Sequence, residues 1–145
     1  MRLALVFLLF ALSHVPQTTD QATVYIYRVE EASKLDSRKV KVKLNDKPLL
    51  EMPEDSFIAL RLPSGEYGLR LRQKQSETLL KVEAGKTYYV RVSQVPAGFG
   101  FNQSIHLMPP EQATFQMREM RPLEDKNIKN KTVEVVKDRP AIQSH

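Results

Sequence analysis

The stretch Phe57–Arg72, FIALRLPSGEYGLRLR, decides the fold. Ile58, Leu60 and Leu62 fall on one side of an extended chain, Pro63-Ser64-Gly65 interrupts it, and Tyr67, Leu69 and Leu71 then alternate with Gly68, Arg70 and Arg72. Apolar residues at every second position line one face of a strand, whereas on a helix they would scatter around the axis. Proline cannot donate to a ladder and glycine relaxes the turn, so the stretch reads as a β-hairpin.

The same alternation continues on both sides. Upstream, Ala22–Arg28 sets Val24 and Ile26 against Tyr25 and Tyr27, and Arg38–Leu44 sets Val40, Val42 and Leu44 against Lys39, Lys41 and Lys43. Asn45-Asp46-Lys47-Pro48 is a turn, with Leu49–Met52 as a short return strand. Downstream, Thr78–Val82 is a strand, Ala84-Gly85-Lys86 turns, and Thr87–Val95 sets Tyr88, Val90 and Val92 against Tyr89, Arg91 and Ser93. Ser104–Met108 adds another strand. Turn signals this frequent predict a mainly β protein, an antiparallel β-sandwich of about seven strands, Ig-like or transthyretin-like. Pro109-Pro110-Glu111 breaks the pattern and starts one short C-terminal helix, which ends before Pro122. The expected organisation is a signal peptide and polar linker over 1–21, the sandwich over 22–121 and a flexible charged tail over 122–145. Within that tail Thr132–Val136, TVEVV, could pair with an exposed strand edge.

In order, ATVYIYR, VKVKLNDKPLLEM, ALRLPSGEYGLRLR, LLKVEAGKTYYVRV and the GFGF loop give the chain a resemblance to a bacterial exported family of unknown function, many of whose members are lipoproteins. The portion Val40–Val92 also resembles the PEGA-type surface-layer module, through Asn45-Asp46-Lys47, Leu62–Tyr67 and Glu83–Thr87. The resemblance implies a β-sandwich envelope domain without enzymatic activity. Two departures stand out: Asp46 replaces the family's usual hairpin glycine, and the lipoprotein cysteine is missing, since the sequence has no Cys.

The N-terminus points to the compartment. Arg2 precedes ten residues without a polar side chain, Leu3–Leu12, followed by Ala11 and Ser13 in a cleavage-like A-x-S pattern. A membrane span needs about 20 apolar residues, so the run fits the core of a secretory signal and not a permanent anchor. The expectation is an exported, periplasmic or extracellular protein, released rather than lipid-anchored. Net charge is +5 at 145 residues. Export argues against nucleic acid as the partner of that charge and favours an envelope protein or an anionic envelope component, a membrane surface contacted peripherally among them.

Catalytic machinery is hard to assemble from this sequence. Of the histidines, His14 sits at the signal boundary, His145 is terminal and His106 stands alone in a strand. Glu30-Glu31, Glu54-Asp55 and Glu124-Asp125 fall in expected loops or tail, and strand neighbours point to opposite faces, so adjacent acids make poor acid–base pairs. Gly98-Phe99-Gly100-Phe101-Asn102-Gln103 has Gln103 where a dinucleotide loop needs its third glycine. No enzyme activity and no cofactor are expected. A second reading uses His106, Met108, Met117 and Met120, a soft imidazole and thioether set, in periplasmic copper handling. The competing account of the methionines is an apolar stripe docking the helix.

Two surfaces remain. Lys39, Lys41, Lys43, Arg61, Arg70, Arg72, Lys81 and Arg91 all alternate with core positions and so point outward, with the acids expected in turns. A strand with Lys at three successive outward positions is ordinarily an edge guarding against aggregation, and a solvated surface accounts for the set; the other reading is an anionic ligand, since like charges on neighbouring strands repel. Pro96–Phe101, PAGFGF, is either a plug over the open end of the sandwich, the more usual outcome, or an exposed partner-binding tip carrying Phe99 and Phe101.

Overall fold

The computed structural model describes residues 20–31, 38–72 and 76–141. The expected signal peptide, His14 and His145 lie outside them. Strands β1 (Gln21–Arg28), β2 (Val40–Leu44), β3 (Lys47–Met52), β4 (Ser56–Pro63), β5 (Gly65–Arg70), β6 (Thr78–Val82), β7 (Thr87–Ala97) and β8 (Gly100–Leu107) precede helix α1 (Pro110–Met117). Two short strands follow, β9 (Arg121–Pro122) and β10 (Glu134–Val136), with a single 3-10 turn at Asp125–Asn127 between them.

The strands form a β-sandwich. One sheet runs β10-β4-β1-β7-β8 with β9 also on β4, and the other runs β3-β2-β5-β6. Pairing is antiparallel except for β1 with β7 and β4 with β9, which are parallel. The core between the sheets holds the alternating residues read from the sequence: Val24, Ile26, Val40, Val42, Ile58, Leu60, Leu69, Leu80, Val90 and Val92 are all buried.

The opposite face of the larger sheet is covered too. Tyr25, Tyr27, Phe57 and Ala59 pack with Ala113, Met117 and Met120 in a second apolar cluster beneath α1. Central strand β1 is therefore buried on both faces, which accounts for its β-branched and aromatic run without polar alternates. Phe115 turns away from this cluster, 69% exposed, with the Arg118 guanidinium 5.3 Å from its ring centre.

Residues 122–141, most of the segment expected as a flexible tail, are folded onto the sandwich. Leu123 and Ile128 are buried in the main core, and β10 pairs with β4 from Glu134↔Arg61 to Val136↔Ala59, the edge pairing that TVEVV allowed. Isolated apolar anchors in a charged stretch leave no periodic signal, so sequence reading had nothing to lock onto.

At the β2–β3 hairpin the two turn residues, Asn45 and Asp46, adopt φ of 49° and 65°. That left-handed pair is the type I′ geometry whose twist suits a two-residue hairpin, and it explains why glycine would be at home at position 46. Asn45 offsets part of the cost by accepting a hydrogen bond from the Gly68 N–H at 2.8 Å on its side-chain oxygen. Strand β3 begins earlier than expected and includes Pro48, which an edge strand tolerates. A bulge opposite Val42/Lys43 accompanies burial of both Leu49 and Leu50.

Candidate functional site

Strands β2 and β5 share a ladder only at Lys43↔Arg70 and Leu44↔Leu69. Beyond those pairs β5 ends while β2 continues back to Val40, and the smaller sheet opens beside Lys41. The β7–β8 hairpin reaches over this opening. The Arg72 N–H donates to Gln103 Oε1 at 3.2 Å, Gln103 Nε2 donates to Gln94 Oε1 at 2.6 Å, and the Arg38 guanidinium lies 5.1 Å from the centre of the Phe101 ring.

The result is a cleft of about 720 Å³ between Arg38, Lys39, Lys41 and Arg72 on one side and Gln94, Phe99, Phe101 and Gln103 on the other. A second hollow of about 880 Å³ adjoins it, sharing Lys41, Glu51 and Arg72 and adding Lys43 and Lys129. Six of the described lining residues are cations (Arg38, Lys39, Lys41, Lys43, Arg72 and Lys129), and Glu51 is the only carboxylate among them. Glu51 is shared between Lys41 Nζ at 3.9 Å and Lys129 Nζ at 3.6 Å, so it cannot neutralise the group. Lys39 Nζ donates to Asn127 Oδ1 at 2.8 Å and also faces the hollow of Glu54 and Glu124, where, after Lys126, it helps hold the Glu124 carboxyl below its usual range.

A buried arginine holds the rim in place. Arg28, 1% exposed at the end of β1, donates from Nη1 to the Arg38 carbonyl at 2.8 Å and the Met52 carbonyl at 3.2 Å, and from Nη2 to Glu54 at 3.2 Å. Its planar fork ties the approach to β2 and the exit from β3 to the central strand. The side chains at Arg38 and Lys39 thereby start from a fixed backbone.

The eight basic residues singled out in the sequence do not form one face. Lys39, Lys41, Lys43 and Arg72 line the trough, while the other four stand elsewhere. Arg70 is engaged by Asp46 at 2.7 Å, Lys81 by Glu66 at 3.1 Å and Arg61 by Glu134 at 3.7 Å. The expectation of uncompensated strands is corrected at these positions. Glu66 and Glu134 sit on neighbouring strands in register, where cross-strand pairing puts opposite charges side by side. Arg91 lies opposite Tyr27 in the face that α1 covers, and its Nε is buried without a hydrogen-bond partner. Arg38, Lys129, Gln94 and Gln103 were missed. Lys129 lay in the presumed tail, and the two glutamines meet only because β7 and β8 pair at Gln94↔Gln103.

Pro96–Phe101 is a continuation of the β7–β8 ladder, with Gly98-Phe99 as a two-residue turn. Gly98 has φ of 57°, as the first turn position of a type II′ hairpin requires. Phe99 projects fully into solvent, at 115% of its reference exposure, so it plugs nothing. Phe101 is half-buried in the cleft wall.

Met108, Met117 and Met120 belong to the apolar cluster beneath α1, Met117 and Met120 buried and Met108 partly so. His106 is exposed on β8, its Nε2 3.0 Å from Ser104 Oγ. Among the described residues no group of three or more His, Cys, Asp or Glu side chains is placed to hold a metal ion.

The family described as "Protein of unknown function (DUF2846)" matches residues 18–100. No curated protein matches the chain. No solved structure matches it either.

Proposed function

The chain belongs to the DUF2846 family of proteins of unknown function, and from that premise we propose that it is an exported, non-enzymatic binding domain whose ligand is an anionic component of the cell envelope, held in the β2–β8 cleft. The observation that carries this reading is the excess of cations among the described residues lining the two adjoining hollows, where Lys41, Lys43, Arg72 and Lys129 stand around the single carboxylate of Glu51. Mutual repulsion makes such a group costly unless a counter-charge occupies it, and a concave site concentrates the field. Gln94, Gln103 and Phe101 line the same cleft. Export rests on the signal-like Leu3–Leu12 run, and the likeness to PEGA-type modules rests on the turn motifs of Val40–Val92.

The test is retention of the protein on polyphosphate and on purified envelope material. Lys41→Glu/Arg72→Glu should weaken retention by at least roughly tenfold, since each basic group near an anionic surface contributes on the order of 1 kcal/mol. Lys81→Glu/Lys86→Glu changes net charge equally but lies outside the cleft, and should retain most binding. Equal loss in both variants, or none in the first, would refute a localised site.

A further inference from the structure

We infer that the β7–β8 hairpin tip is a membrane-insertion wedge, with Phe99 entering the acyl region of an anionic phospholipid surface while the cleft cations meet the lipid phosphates. The inference rests on the anion-binding reading above and names the source of the anion. In a protein where 27% of residues are charged, Val92–Ile105 contains no Asp, Glu, Lys or Arg. That uncharged run folds into the ends of β7 and β8 and the turn between them, and it carries Phe99, Val95 at 45% exposure and Pro96 outward. Hairpin tips are ordinarily polar, because turn residues face water. Here the apex is Gly-Phe-Gly with a wholly exposed ring.

The backbone suits the interface. Ala97↔Gly100 and Pro96↔Phe101 pair across the tip, so few peptide groups enter an apolar medium without partners. At the base of the hairpin stand Arg38, Lys39, Lys41 and Arg72. An uncharged tip with cations set behind it is the arrangement in which an aromatic side chain can pass the headgroup layer while the cations remain at phosphate depth. A protein groove could also receive Phe99, but it would not need the cations that line the cleft beside the tip.

The sequence has no tryptophan, so Phe99→Trp in the full chain is a single local reporter. Contacts made by the apolar Leu3–Leu12 stretch do not register in it. Mixed with phosphatidylcholine vesicles containing phosphatidylglycerol, the variant should shift its emission to the blue and be quenched by brominated acyl chains. Pure phosphatidylcholine should give a much smaller shift. Phe99→Ala should lower affinity for the mixed vesicles by roughly tenfold or more while leaving the fold intact, since the ring packs on nothing. Water-like emission on vesicles that carry the protein down in a centrifuge would overturn insertion. Polyphosphate binding without any vesicle association would overturn the membrane inference and leave the anion site standing, whereas loss of both would remove both. Lipid-free capture of an envelope protein that depends on Phe99 would assign the tip to a protein partner instead.

Discussion

Tyr27 shows what it means for the central strand to be covered on both sides. Its ring is buried under α1, its hydroxyl donates to Gln116 Oε1 at 2.6 Å, and burial pushes its pKa up to about 12, with Arg91 pulling weakly the other way. Burial also raises Tyr25 and Tyr89, whose rings stack with centres 5.4 Å apart. In the unfolded chain these phenols ionise near 10. Above that pH the unfolded state sheds protons that the folded state keeps, so the stability Tyr27 contributes is full below about 10 and is lost as pH rises through about 12. Tyr27→Phe should lower the urea midpoint at neutral pH, by about 1 kcal/mol for the lost hydrogen bond, yet flatten the decline between pH 10 and 12. Parallel pH profiles for the two proteins would contradict this. The sequence placed Tyr25 and Tyr27 on the face opposite Val24 and Ile26. It could not say that this face would be dry, because the covering residues come from Ala113–Met120, far along the chain.

At the scale of elements, β10 is the part most easily underestimated. It closes the edge of β4, sets Val133 and Val135 against the main core, and leads to Arg139. Arg139 Nη1 donates to the Met117 and Arg118 carbonyls at 3.1 and 2.6 Å, capping the end of α1, and its guanidinium sits 5.3 Å from the Phe57 ring centre. Removing residues 131–145 should therefore cost about 3 kcal/mol, from half-buried valines and lost ladder bonds. It should also bare an unpaired strand edge and promote association. Urea denaturation measures the first effect and sedimentation velocity across concentrations the second. A truncated chain as stable and monomeric as the parent would make the strap ornamental. Alternation disclosed β2 and β5 with their inward and outward residues, because a half-buried strand writes its face into every second position, whereas in β4 and β7 it gave only the inward face, α1 covering part of the other. Strands β9 and β10, short and charged, carry no such mark and exist because β4 offers them an edge.

For the whole molecule the question is where the charge goes. The net +5 was visible in composition, but composition treats every lysine alike. Folding divides them: Arg61, Arg70 and Lys81 acquire carboxylate partners, while Lys41, Lys43 and Arg72 are gathered with Lys129 around one carboxylate. Binding to polyphosphate should accordingly fall steeply between about 0.05 and 0.5 M salt, over which the screening length shrinks roughly threefold. The slope of log affinity against log salt should be shallower for Lys41→Glu/Arg72→Glu, and a slope equal to the parent's would place the contacts elsewhere. What the sequence by itself determined is the β character and the inward faces of most strands, since both are set by spacing between near neighbours. Which cations acquire carboxylate partners of their own, that Phe99 stands clear while Phe101 lines a wall, and that residues 122–141 are part of the domain were decided only by the tertiary structure. They depend on contacts such as Arg72 with Gln103 or Glu134 with Arg61, between residues brought together by sheet pairing and packing, and no local period records those meetings.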